Sequence, residues 1–194
     1  GERTNTMTVL TEKKMTETQW TTCQMLDEIS LQAKQSPRLR KNYNFHHSDE
    51  DICHRLLNAM EPGSYIQPHR HLDRNKDETL VVIRGKMGLI LFDDHGNIEE
   101  KALLELADHA MIVNIPHGKF HTWISFEERS VFFESKAGPF LPLTEEEKAF
   151  WAPKDGDASS AGYLASLKKR FESDRRQHAT SNKRKGGSHG INKD

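Results

Sequence analysis

Cysteine is scarce in this sequence, and long hydrophobic runs are absent. The two cysteines, Cys23 and Cys53, cannot form a disulfide framework or a Cys-x-x-Cys site. No stretch approaches the roughly 20 consecutive apolar residues of a membrane-spanning helix. Residues 1–7 also lack the apolar core of a signal peptide. These absences predict a protein of the reducing cytoplasm that has no membrane partner.

The hydrophobic share is low for a globular chain, at 35% of 194 residues. Part of the chain should therefore be solvated, while the rest is long enough for one domain with a sizeable core. No glycine-rich phosphate loop and no alternation of strands with helices appear. The sequence thus argues against a nucleotide-binding α/β domain.

Short strand-like runs separated by turn signals cover the central part of the chain. They are predicted at 38–46, 51–60, 79–84, 86–92, 98–106, 110–114, 120–126 and 130–135. A helix is predicted before them over 20–35, capped by Thr21 or Thr22 and ended by Pro37. Many short strands at near-regular spacing indicate an all-β sandwich or barrel.

The two ends of the chain differ in composition from this centre. Residues 1–19 are polar and are expected to be loosely ordered, leaving a domain at 20–155. Residues 156–194 contain a short helical pattern at Leu164, Leu167 and Phe171, and the stretch 168–185 carries a net charge of +6. Because this basic stretch has Phe171 as its single aromatic residue for base stacking, nucleic acid is a poor candidate partner. We expect a solvated helical appendage.

Two histidine-containing blocks carry the chemistry of the sequence. His69 and His71 are two residues apart, so on a strand both imidazoles would project from one face. Glu78 follows after a short loop. Further along, a Pro-x-Gly turn lies directly ahead of a second apolar run, and His121 stands at the start of the strand predicted there. Imidazoles and a carboxylate brought to one barrel axis would bind a divalent metal.

The same blocks resemble the paired motifs of the cupin superfamily. They are written Gly63-x5-His69-x-His71…Glu78-x6-Gly85 and Pro116-x-Gly118-x2-His121. The resemblance implies a small β-barrel that binds one divalent metal through His69, His71, Glu78 and His121. Six residues separate His71 from Glu78, more than cupins commonly have, which leaves Asp73 and Asp77 as alternative carboxylates. Glu78 is preferred because its distance from Gly85 fits the motif. Ala110 and Ser125 replace a usual glycine and asparagine, and neither is a ligand.

A wider stretch, from Ser36 to about Asp155, is similar to the WbuC family of cupin-fold metalloproteins. The similarity lies in Ser36-Pro37-Arg38, Asn42-x-Asn44-x-His46, Arg55-Leu56-Leu57-Asn58, Pro68-His69-Arg70-His71, Leu91-Phe92-Asp93-Asp94, Lys136-x-Gly138-Pro139 and Trp151-Ala152-Pro153. Members are associated with bacterial O-antigen and related polysaccharide gene clusters. The resemblance implies a sugar or a small oxygenated acid as ligand.

Period-two alternation over 38–46 places Arg38, Arg40, Asn42 and Asn44 on one face of a strand. One interpretation is an edge strand that shows this face to water. The other is a strand whose donors bind an anion or a sugar. On the metal-binding strands, parity predicts that Tyr65, Gln67 and Trp123 line the space above the metal.

The metal identity is open among Fe, Mn, Ni and Zn, since a site of three imidazoles and one carboxylate suits all four. Two function classes follow. One is an enzyme that isomerises, epimerises or oxygenates its substrate. The other is a non-catalytic cupin that binds a saccharide for regulation. In either class we expect a sugar-like or anionic small molecule and a homodimer.

Overall fold

The computed structural model describes residues 17–106 and 110–172, and strands dominate it. Two helices flank the strands: α1 (Cys23–Gln35) before them and α2 (Ser160–Lys169) after them. The strands are β1 (Arg40–Asn44), β2 (Cys53–Met60), β3 (Glu78–Arg84), β4 (Lys86–Phe92), β5 (Ile98–Glu105), β6 (Ile112–Ile115), β7 (Phe120–Ser125) and β8 (Ser130–Ala137).

The strands form two antiparallel sheets that enclose a hydrophobic core. One sheet has the order β1-β2-β8-β3-β6, and the other has the order β5-β4-β7. Leu80 and Phe132 of the larger sheet pack in one cluster with Leu89 and Trp123 of the smaller sheet. This architecture confirms the predicted all-β fold and agrees with a single-domain cupin. Among the described residues, no helix is long and apolar enough to cross a membrane.

The first helix and the first strand are shorter than predicted. Helix α1 begins at Cys23 rather than Trp20, because the Thr22 hydroxyl accepts the Met25 N–H as an N-cap. Strand β1 begins at Arg40 rather than at position 38, because Leu39 has φ +54°, a left-handed conformation that no regular strand contains.

The segment that carries His69 and His71 is not the regular strand that was predicted. Between β2 and β3, the ladder is reduced to isolated bridges at His69. The His69 N–H donates to the carbonyl of His121, and the His121 N–H donates back. Pro68, just before it, has no N–H to give to a ladder. Individual backbone hydrogen bonds, rather than a continuous ladder, hold this segment to its neighbours.

Residues 160–171 pack against the core, so the expectation of a solvated helical appendage is wrong for them. Leu164, Leu167 and Phe171 are all buried, and they share a cluster with Ile90 and Phe92 of β4. Their i, i+3, i+7 spacing forms an apolar stripe that covers one face of the smaller sheet. The predicted basic stretch lies mostly outside the described residues, as does most of the 1–19 segment.

Candidate metal centre and adjoining cavities

The four predicted metal ligands lie together between the two sheets. Ligand atoms of His69, His71 and Glu78 are all within 4.8 Å of one another. His121, the second residue of β7, brings its Nε2 to 2.8 Å from Glu78 Oε2. Glu78 is the first residue of β3, in the opposite sheet. Facing strands thus bring together side chains that are far apart in sequence.

Backbone carbonyls orient two of the imidazoles. His69 Nδ1 lies 3.1 Å from the carbonyl oxygen of Gln67, and His121 Nδ1 lies 2.9 Å from that of Lys119. An Nδ1–H that donates to a carbonyl leaves Nε2 as the free ligand atom. In His121 this Nε2 is buried and has no hydrogen-bond partner among the described residues, although Glu78 Oε2 lies 2.8 Å away. A bound cation would satisfy this nitrogen, so the donor set fits a divalent metal.

The protonation states of the cluster also suit metal binding. Burial lowers the pKa of His69 to about 3, and the neighbouring His121 adds to this effect. Its imidazole is therefore neutral, the form that binds metals. Burial of the Glu78 carboxyl opposes ionisation, but contacts with His121 and His71 and the charge of Lys136 hold its pKa well below its usual value. Glu78 is accordingly a carboxylate.

The alternative carboxylates have other partners. Asp77 Oδ1 accepts the backbone N–H of His117 and lies 2.9 Å from its Nδ1. Asp73 Oδ1 accepts the backbone N–H of Asn75 in a local turn. Both are exposed, whereas Glu78 is buried against the imidazoles. The structure therefore brings Glu78, and neither aspartate, to the histidine cluster.

The polar face around β1 lines a cavity of about 490 Å³ that includes Arg38, Arg40, Asn42 and Asn44. A second cavity of about 440 Å³ shares the two arginines and reaches His69. Arg40 donates to the carbonyl of Tyr65 at 2.6 Å and to Asp155 at 2.6 Å. Arg38 contacts the same carboxylate. The β1 side chains face a cavity, and both guanidinium groups are tied to Asp155.

The remaining predicted contacts with the ligand differ in their surroundings. Gln67 lines the cavity that contains His69 and donates to the carbonyl of Ala149. The Tyr65 hydroxyl donates to the carbonyl of Pro153, and the ring packs in the core. Trp123 is buried and stacks on Phe132 at 5.4 Å between ring centres. Tyr65 and Trp123 line neither cavity, so their described roles are in packing.

Sequence reasoning gave no site role to three polar residues near Glu78, although two of them stand in motifs that resemble the WbuC family: Asn58, Glu134 and Lys136. Lys136 Nζ lies 2.9 Å from Glu78 Oε1 and 2.6 Å from Glu134 Oε1. Asn58 donates to the other Glu134 oxygen at 2.9 Å. Burial of Lys136 opposes its charge, but the two carboxylates raise its pKa above the usual value. The i, i+2 spacing of Glu134 and Lys136 was the available signal, because β8 continues to Ala137, beyond the strand predicted over 130–135.

Comparisons with known proteins add little beyond the fold. Residues 21–104 match the family model described as a domain of unknown function, DUF6016. No curated protein sequence matches the chain.

Similar solved structures include KdgF from a Halomonas species, at 18% identity and a TM-score of 0.42, covering 53% of this chain and 82% of that one. A conserved Streptococcus pyogenes protein of unknown function has 11% identity and a TM-score of 0.41, covering 56% and 86%. Bacillus subtilis oxalate decarboxylase, which has Mn(II) centres, has 19% identity and a TM-score of 0.38, covering 47% and 23%. At these identities and TM-scores, none assigns a function to this chain.

Proposed function

We propose that this protein is a metal-binding cupin whose single divalent ion is bound by His69, His71, Glu78 and His121. The observation that carries the proposal is the buried Nε2 of His121, which has no hydrogen-bond partner among the described residues although it lies 2.8 Å from the Glu78 carboxylate. An unsatisfied buried polar atom costs about 1 to 3 kcal/mol. Coordination would remove that cost.

Three of the four ligands are held by a neighbour, which prepares the site for the ion. The Gln67 and Lys119 carbonyls fix two rings, and Lys136 holds one oxygen of Glu78. A divalent ion bound here would act as a Lewis acid toward ligand oxygens. Two adjoining cavities give such a ligand room, since small-molecule sites are commonly about 300 to 1,000 Å³.

The ligand we propose is a sugar or a small oxygenated acid, and its link to bacterial surface-polysaccharide metabolism rests on the resemblance to the WbuC family. The side chains of Glu134 and Lys136 beside Glu78 supply a fixed hydrogen-bond acceptor and a fixed hydrogen-bond donor for such a ligand. Isomerisation, epimerisation and oxygenation are the candidate reactions. The homodimer and the cytoplasmic location stay predictions from sequence.

The proposal is tested by the metal content of protein purified without an immobilised-metal column. We expect about one ion per chain by elemental analysis after incubation with Fe, Mn, Ni and Zn salts, followed by desalting. His121→Ala should lose most of this metal while keeping its circular dichroism spectrum, because the strands that pair around it remain.

His117→Ala is the matched control. His117 lies in the turn just before β7, is about 41% exposed and pairs with Asp77, outside the cluster. Its metal content should equal that of the wild type. A wild-type protein that stays metal-free with all four salts, or two variants with equal metal content, would contradict the metal centre.

A further inference from the structure

Strand register places a second set of polar groups on the same sheet face as Glu78. In β8, Lys136 is the direct partner of Glu78 of β3 and of His54 of β2. Glu134 lies two residues earlier on the same face, and Asn58 of β2 lies near it. Side chains of paired residues in an antiparallel sheet share one face. These three polar residues line the larger cavity, and Lys136 connects them to the metal ligand Glu78.

We propose that Asn58, Glu134 and Lys136 form the binding site for an uncharged, hydroxyl-rich ligand of monosaccharide size. This inference deepens the proposed function, because it names the ligand class of the cavity beside the metal centre. Nothing in the sequence pattern of the metal motifs includes these three residues.

The Glu134 carboxylate is the first support. It is only 8% exposed, and its Oε1 is buried without a hydrogen bond, although Lys136 Nζ lies 2.6 Å away. Asn58 fixes the other oxygen. The carboxylate is thus oriented at the wall of the cavity, and its oxygens have lone pairs beyond these contacts. A hydroxyl group is the donor that such an acceptor would bind.

Three of the four cationic side chains of the cavity are paired with carboxylates, which is the second support. Arg38 and Arg40 contact Asp155, and Lys136 contacts both Glu134 and Glu78. An anionic ligand at Lys136 would compete with Glu134 for the ammonium group. A hydroxyl group can donate to Glu134 and accept from Lys136 while that ion pair stays intact.

The rest of the lining suits the same ligand class. Three asparagine amides, each both donor and acceptor, alternate with apolar side chains on this face. The apolar members are Leu56, Ala59, Met60, Ile66, Phe132 and Phe140. A sugar presents hydroxyl groups at its edge and C–H groups on its faces, so it can use both kinds of surface. The volume of about 490 Å³ is in the range of small-molecule sites.

The test compares neutral sugars with acids on the full chain. D-glucose, D-galactose, D-mannose and L-rhamnose are titrated as neutral probes by calorimetry, and malonate and gluconate as acidic probes. We expect at least one neutral sugar to bind more tightly than either acid. Glu134→Gln should weaken the affinity for that sugar by about 10-fold or more, because a charged hydrogen-bond acceptor is lost. The same variant should strengthen malonate binding, because Lys136 then contacts one carboxylate instead of two and its charge is less neutralised.

Opposite changes in the affinities for sugar and acid would show that Glu134 contacts the ligand. A purely structural role of Glu134 would weaken the binding of both. Glu105→Gln is the matched control, because Glu105 also pairs with a lysine, Lys86 at 2.9 Å, but lies in the other sheet. It should change neither affinity. If both acids bind while no neutral sugar does, or if no probe binds, the inference is wrong. Metal content is measured on the same samples, so a failed metal centre and a failed sugar site are told apart.

Discussion

Replacing Phe171 by alanine should destabilise the whole domain. Phe171 follows α2 and is completely buried, with its ring 5.2 Å from that of Phe126. It also lies against Gly88 of β4, where any added Cβ would approach the Phe171 Cζ to 3.0 Å. This tight fit leaves no neighbouring side chain ready to fill the space. The substitution should therefore leave a cavity in the core cluster that covers the smaller sheet.

We expect Phe171→Ala to lower the free energy of unfolding by about 3 to 5 kcal/mol, the usual range for a buried phenylalanine. For a chain of this length, each kcal/mol corresponds to about 2 to 4 °C in the melting temperature. The expected drop is then about 6 to 20 °C. Urea unfolding followed by tryptophan fluorescence measures the first quantity, and differential scanning calorimetry measures the second.

Phe150→Ala is the control, because that ring is 83% exposed. Its effect should stay within about 0.5 kcal/mol. Equal unfolding curves for Phe171→Ala and the wild type would show that α2 and Phe171 do not belong to the folded core. The packing described here would then be wrong.

Two further substitutions test a residue that lines both cavities, Arg40, and a tightly packed glycine, Gly138. Arg40→Ala should weaken binding of the cavity ligand by about 10 to 100-fold, the loss of one charge-assisted bond, and should leave the metal content unchanged; an unaltered affinity would limit the role of Arg40 to its contact with Asp155. Gly138→Ala should reduce soluble yield and melting temperature sharply, because the new Cβ would lie 1.8 Å from the carbonyl oxygen of Asp51. Gly118→Ala is the control, because Gly118 has open space around it but a φ of +79°. It should lower the free energy of unfolding by only about 1 to 2 kcal/mol. Equal losses of stability in the two glycine variants would contradict the close contact at Gly138.

Local patterns in the sequence were enough to predict most strands and the metal-ligand candidates. The run Lys86–Phe92 has the predicted bounds, and Gly85 has the positive φ that its turn requires. The spacing of His69 and His71 and the Pro-x-Gly turn before His121 are also local, because each depends on a few neighbouring residues. Such features are set by backbone sterics and side-chain direction, which act over short distances along the chain.

Only the tertiary structure decided what surrounds those ligands. Lys136 meets Glu78 because β8 pairs with β3 in one particular register, between positions that are far apart in sequence. A shift of one residue would turn Lys136 and Glu134 to the other face of the sheet. The burial of Phe171 likewise depends on a glycine in β4. Sequence periodicity sets which side chains share a face, whereas pairing across strands and packing between sheets set what that face meets.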